Sequence, residues 1–289
     1  MAEAWMLSCN AAGESVISEG PLRGKTLCQA LFRDVEGVLG VKNPISTYFP
    51  ILIKFIDARQ ALSIQVHPPD GYALDHDGSF GKTEMWYVLD AEKDAFLYFG
   101  FERRISREEM RGRLENSTIT DVLRKVPVQK GDVLFVQAGT VHAIGEGILI
   151  AEIQQNSDST YRVYDFDRVG PDGKKRELHI DKALDVSQMD PGGAAYRVED
   201  AILPGYRRGN LASCSYFTVD RISVDSFAAL PCDDSTFLSL LFIEGEGRIF
   251  FTDARYELMS VKKGDSVFLP AGTGEYTVEG SCTFLLSYR

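Results

Sequence analysis

Four side chains spread over the first half of the sequence have the types needed to hold one metal ion. Gln65 and His67 stand two apart in Ser63-Ile64-Gln65-Val66-His67-Pro68. Glu84 lies in Gly81-Lys82-Thr83-Glu84-Met85-Trp86, and His142 follows Ala138-Gly139-Thr140-Val141. Two imidazoles, a carboxylate and an amide oxygen, without a thiolate, suit zinc and equally iron, manganese or nickel. Three or four protein donors leave a position open for water or substrate, as a catalytic centre requires. A lone histidine in a strand is more often a satisfied, partly buried residue, so the joint pattern carries the argument. His76, in an Asp-rich loop, and His179, on a surface helix, read as structural or solvated.

The formal net charge of −11 argues against nucleic acid or an anionic membrane as a general partner. A small anionic substrate needs local cations instead, and candidates surround the donors. Lys82 is two residues before Glu84, Lys54 lies one strand earlier, and Arg162 follows the Asn156-Ser157-Asp158 turn. Ser63 shares the face of Gln65 and His67. Each has an ordinary structural reading as well: Lys82 as an ion pair on a wet face, Arg162 as a brace for Asp165 or Asp158. Convergence on one cavity is what would make them functional.

To converge, these residues must ride on strands. Residues 50–56, 62–67, 82–89, 95–101, 133–136 and 148–153 read as strands, and 62–67 alternates so that Ser63, Gln65 and His67 share a face. Pro68-Pro69-Asp70-Gly71 reads as an abrupt stop and 75–81 as a loop. Helices are expected at 26–32, capped by Thr26, from Ser106, at 119–124 and over 179–187. Residues 21–25 and 170–176 read as polar turns, and Asp190-Pro191-Gly192-Gly193 as a linker. Beyond it, strands are expected at 214–222, 236–244, 248–252, 267–269 and 282–288.

An internal repeat sets the architecture. VQKGDVLFVQAGT at 128–140 recurs as VKKGDSVFLPAGT at 261–273, which points to a duplicated domain. His142 falls opposite Glu275, and no histidine follows His179. The expected fold is all-β: two jelly-roll barrels with a small helical insert at about 104–125. Residues 1–188 form the metal-binding domain and 189–289 a degenerate copy without a metal site. Five cysteines, odd in number and without a CxxC pair, suggest reduced thiols rather than a disulfide framework. The sequence shows neither a signal peptide nor a membrane-length apolar run, so a cytoplasmic protein is expected.

The motifs SIQVHP (63–68), GKTEMW (81–86), AGTVHAI (138–144) and EIQQNSD (152–158) through YRVYD (161–165) resemble, in order, those of type I mannose-6-phosphate isomerases. The match is closest to the short bacterial form and runs from about Glu3 to the C-terminus. The resemblance implies two cupin-type jelly rolls with a small helical portion. It implies one zinc ion per chain on Gln65, His67, Glu84 and His142, with the last three credited in the short forms. It also implies a catalytic arginine at Arg162, a phosphate-side lysine and serine at Lys54 and Ser63, and Lys82 beside the metal. Family members usually carry a further segment ahead of Glu3-Ala4-Trp5, so the expectation is either a first barrel short of an edge strand or a coding start placed downstream.

The implied activity is interconversion of mannose 6-phosphate and fructose 6-phosphate through an enediol. Glu152, two strand positions before Gln154, is the candidate base, with a metal-activated water as the alternative. Two rivals remain: an iron-dependent cupin oxygenase on His67, Glu84 and His142, and a non-catalytic sugar-phosphate-binding cupin. The expected partner is a phosphosugar, with no nucleic acid or membrane, and the chain as a monomer or homodimer.

Overall fold

The long apolar runs of the first half become the strands Ile51–Ala58, Glu84–Ala91, Phe96–Phe101 and Ile148–Gln155. Each is buried along most of its length, on both faces, so one face can enter a site while the other packs into a core. The computed structural model describes residues 2–20, 22–31, 33–43, 48–170 and 173–289. Pro21, Phe32, Pro171 and Asp172, which fall in the expected turns and first helix, lie outside these residues.

The strands form two five-stranded sheets. One runs in the order Ala2–Leu7, Ile51–Ala58, Ile148–Gln155, Glu84–Ala91, Val133–Val136. The other runs Tyr161–Tyr164, Ile64–Val66, His142–Ala143, Phe96–Phe101, Leu123–Pro127. Sheet neighbours are mostly distant in sequence and the pairings around the site are antiparallel, as in jelly-roll winding.

The chain packs as two compact units, residues 1–4 with 54–197 and residues 5–53 with 198–289. The sequence reading allotted 1–188 and 189–289. Residues 5–53 group with the second unit because backbone bonds hold them there. Val41 N donates to Asp234 O (3.1 Å), Lys42 N to Ser235 O (2.9 Å) and Ala271 N to Val38 O (3.1 Å). Buried Asn43 adds Nδ2 bonds to Leu39 O (2.6 Å) and Thr236 Oγ1 (3.2 Å).

Two local expectations are corrected. The segment 119–124 holds only a 3₁₀ turn, Ile119–Asp121, because Leu123–Pro127 is taken as a strand by Phe96–Phe101. The residues after Pro68-Pro69 form a helix, Asp70–Asp77, with Pro69 at its N-cap and Gly78 closing it at φ 66°. A proline ahead of the first turn costs a helix nothing, since no hydrogen bond is lost there. The helix expected from Ser106 is Arg107–Glu115, and Ser106 Oγ accepts from Glu109 N at 3.1 Å.

The turn that opens each copy of the repeat has the same bonding. Asp132 Oδ2 accepts from Gln129 N at 2.9 Å, and Asp265 Oδ2 from Lys262 N at 2.9 Å. Gly131 and Gly264 both take positive φ, 90° and 95°, where a side chain would be strained. The strands Val133–Val136 and Ser266–Leu269 follow. His142 then turns inward, whereas Glu275 is exposed. The second unit has an eight-stranded sheet whose core includes Phe242, Phe284, Ile249 and Val278. No disulfide links the five cysteines, and among the described residues no helix is long and apolar enough to cross a membrane.

Candidate metal centre

Three neighbouring strands put Gln65 at the middle of the site. His142 lies directly opposite it on one side and Arg162 on the other, and directly opposed residues project to the same face of a sheet. His67, two residues on from Gln65, shares that face. The corner that delivers His142 is pinned to the His67 strand by Gly139 N donating to His67 O at 2.8 Å. Glu84 comes from the other sheet. The segment leading to it is fastened by Lys82 N to Pro68 O (3.1 Å) and by Gln155, which bonds Thr83 through its backbone N (3.0 Å) and side-chain Oε1 (2.8 Å).

His67, Glu84 and His142 offer ligand atoms that all lie within 4.8 Å of one another, and all three residues are buried. His67 Nε2 is 3.6 Å from Glu84 Oε2, and His142 Nε2 is 3.4 Å from Glu84 Oε1. The outer ring nitrogens settle the tautomers. His67 Nδ1 sits 2.9 Å from Ser159 O, and His142 Nδ1 sits 2.8 Å from Thr140 O. A carbonyl only accepts, so both Nδ1 atoms carry the proton and both Nε2 lone pairs face Glu84. Glu84 Oε1 receives no hydrogen bond. The His142 Nε2 lone pair and Glu84 Oε1 face each other at 3.4 Å and repel one another when no proton lies between them, and a cation relieves that. The residues present therefore fit a divalent metal.

Ionisation agrees with this geometry. Burial, reinforced by Lys82, holds His67 well below the usual imidazole range, and burial lowers His142 to about 4. Both rings are thus neutral near pH 7, the state that ligates. Burial first and the nearby Glu152 charge second push Glu84 up to about 7. Gln65 turns its amide nitrogen toward His142 Nε2 at 3.4 Å, so its oxygen reaches that position only after an amide flip.

Lys82 Nζ contacts Glu84 Oε2 at 2.6 Å and His67 Nε2 at 3.2 Å. Behind it, Glu152 Oε1 lies 3.7 Å from Lys82 Nζ and 3.5 Å from Lys54 Nζ, while Trp86 Nε1 donates to Glu152 Oε2 at 3.0 Å. Burial raises the Glu152 carboxyl, but Lys82, Lys54 and the indole outweigh it and hold it below the usual value. Lys82 is itself driven down by burial and up, by more, through Glu152 and Glu84. Arg162 belongs to the other wall. Its Nε lies 3.4 Å from buried Ser63 Oγ, and its Nη1 donates to Glu177 O at 2.9 Å.

All nine candidate residues thus occur in the first unit, in two linked groups: Lys54, Lys82, Glu84 and Glu152 with the imidazoles, and Arg162 with Ser63 beside Gln65. Lys54 Nζ stands 3.5 Å from Glu152 Oε1. His179, read as structural or solvated, is structural and exchanges support with Arg162: Arg162 N donates to His179 Nδ1 (3.2 Å) and His179 N to Arg162 O (2.7 Å). Sequence reasoning missed the bond from Trp86 to Glu152, although Trp86 shares the alternation of Lys82 and Glu84. The carbonyls of Ser159 and Thr140 left no sequence signal at all.

The chain matches the family models "Phosphomannose isomerase type I, catalytic domain" over residues 1–93 and "Mannose-6-phosphate isomerase, cupin domain" over residues 208–289. It is 39% identical over 287 residues to the Bacillus subtilis (strain 168) protein named "Probable mannose-6-phosphate isomerase GmuF", covering 99% of this chain and 89% of that protein. This chain belongs to the type I mannose-6-phosphate isomerase family. A second relative, mannose-6-phosphate isomerase ManA of the same strain, is 38% identical over 293 residues, with 99% and 89% covered. The crystal structure of the mannose 6-phosphate isomerase from Bacillus subtilis superposes with a TM-score of 0.90 at 34% identity, spanning 99% of this chain and 88% of that one. The family's cupin fold is thus the fold of this chain.

Proposed function

We propose that this protein is a metal-dependent aldose–ketose isomerase that interconverts mannose 6-phosphate and fructose 6-phosphate. The observation that carries the proposal is a buried carboxylate, Glu152, held beside a cluster of two neutral imidazoles and a second carboxylate. Family membership supplies the substrate class. His67, Glu84 and His142 would hold the metal, with Gln65 as a further donor after an amide flip, and zinc suits this sulfur-free set. When bound, the ion would stabilise negative charge developing on the sugar's carbonyl and hydroxyl oxygens.

The remaining work falls to the chain's own groups. Glu152 takes the proton from C2 of the open-chain aldose and returns it to C1, so base and conjugate acid are one residue. As the enediol forms O1 gains a proton, as it collapses O2 gives one up, and Lys82 and Arg162 steady the charge on either side. Ser63 and Lys54 serve the phosphate end, whose binding positions the sugar without reacting. With Glu84 ionised as a ligand, two carboxylates offset the two ammonium groups, so a bound dication would give the cavity positive charge toward an anionic sugar. The first unit carries this site, and the second serves as scaffold. The enzyme works in the cytoplasm, as a monomer or homodimer.

The test is metal analysis of the purified protein beside a coupled assay for fructose 6-phosphate. One zinc per chain with turnover supports the proposal. A metal-loaded protein that binds the phosphosugar without converting it, or that consumes oxygen, refutes it.

A further inference from the structure

This inference rests on Glu152 acting as the proton-transferring base. We propose that Trp86 is the positioning residue for that base: its indole N–H ties down one carboxylate oxygen of Glu152 and leaves the other to meet the substrate carbon.

Trp86 and Glu152 are directly opposed in an antiparallel pair, and Nε1 donates to Oε2 at 3.0 Å. The tryptophan is 1% exposed, and its ring has little freedom to turn. It stands edge-on to the His142 ring at 5.2 Å and 75° and packs in a cluster with Val88, Leu134, Val136 and Ile150. The direction of the N–H is therefore set by core packing.

Glu152 is left asymmetric. Oε2 has a neutral, directional donor, whereas Oε1 receives no hydrogen bond. Both ammonium groups, at 3.5 and 3.7 Å from Oε1, stand just outside hydrogen-bonding reach. A carboxylate in that state keeps a lone pair available on Oε1. Without the indole, Oε2 is a buried acceptor with no partner, an expensive condition. The carboxylate then turns to pair closely with Lys54 or Lys82, and its free oxygen no longer points at the reacting carbon.

The experiment is a double-mutant cycle on the metal-loaded enzyme with Trp86→Phe and Glu152→Gln. It reads kcat, KM, bound metal and exchange of the C2 hydrogen with solvent deuterium. Trp86→Phe is expected to lower kcat and the exchange rate about 10- to 100-fold, with KM within about twofold and the metal retained. In the Glu152→Gln background the same substitution should change nothing further. Equal losses in both backgrounds, loss of metal that accounts for the effect, or an undiminished kcat would overturn the proposal. Should Trp86→Phe fold poorly, 3-benzothienylalanine at position 86 keeps the ring system and replaces the N–H by sulfur, with the same outcome expected. The two readings separate cleanly. An active Glu152→Gln enzyme removes Glu152 as the base, whereas an inactive one beside a fully active Trp86 variant removes only the positioning role.

Discussion

Within the site, burial decides the state of each side chain before any substrate arrives. Two imidazoles kept neutral by desolvation present lone pairs to the same point, and on the far side of Lys82 the Glu152 carboxylate stays charged because two ammonium groups and the Trp86 indole offset its burial. This division of labour predicts different phenotypes for neighbouring residues. Glu152→Gln should cut isomerisation by about 10²–10⁴-fold and slow C2 hydrogen exchange by a similar factor while leaving the metal content unchanged, as elemental analysis would report. His142→Ala should lose both metal and activity. Arg162→Ala should lose activity and keep the metal, since its guanidinium reaches Ser63 and Glu177 rather than the donor cluster. Retained turnover in both of the last two variants would sink the isomerase assignment.

At the level of strands and loops, the site depends on how firmly short connections are tied. Gly81 precedes Lys82 where a Cβ would lie 2.6 Å from Asp70 N and Pro68 O, both backbone atoms that cannot swing aside. Gly81→Ala should therefore cost about 1–3 kcal/mol, seen as a lower urea midpoint, with a fall in activity because Lys82 and Glu84 follow at once. The segment after Arg162 is fastened by Asp165, which accepts from Arg168 Nε at 3.0 Å and Arg176 Nε at 2.7 Å. Burial raises the Asp165 carboxyl, but the hydrogen bonds from Arg176 and Arg168 prevail and hold it below the usual carboxylate range. The stabilisation is then complete above that range and vanishes as pH falls through the lowered folded value. Asp165→Asn should lower the urea midpoint at pH 7, and the gap from wild type should close toward pH 3.

Much of this was legible in the sequence because strand alternation places Gln65 with His67 and Lys82 with Glu84 by spacing alone. The helix Asp70–Asp77 was not, since Pro68-Pro69 and Gly71 read as breakers although Pro69 occupies the N-cap position, where its ring costs no hydrogen bond. The grouping of residues 5–53 with the second unit was hidden too. It depends on hydrogen bonds between segments some 200 residues apart, which no local pattern records.

For the molecule as a whole, a metal that binds only the folded first unit must stabilise it in proportion to RT ln(1 + [metal]/Kd). Chelation should lower the melting temperature and abolish activity together, and zinc should restore both. An unchanged melting curve would mean that the cluster holds no ion. The two ring-orienting acceptors, Thr140 O and Ser159 O, are main-chain atoms, with a consequence for how the protein tolerates change. No side-chain replacement at 140 or 159 deletes either acceptor, so the proton distribution on the two rings is insulated from point mutation there. Only a shift in the path of the chain could disturb it, and that path is secured by the barrel walls.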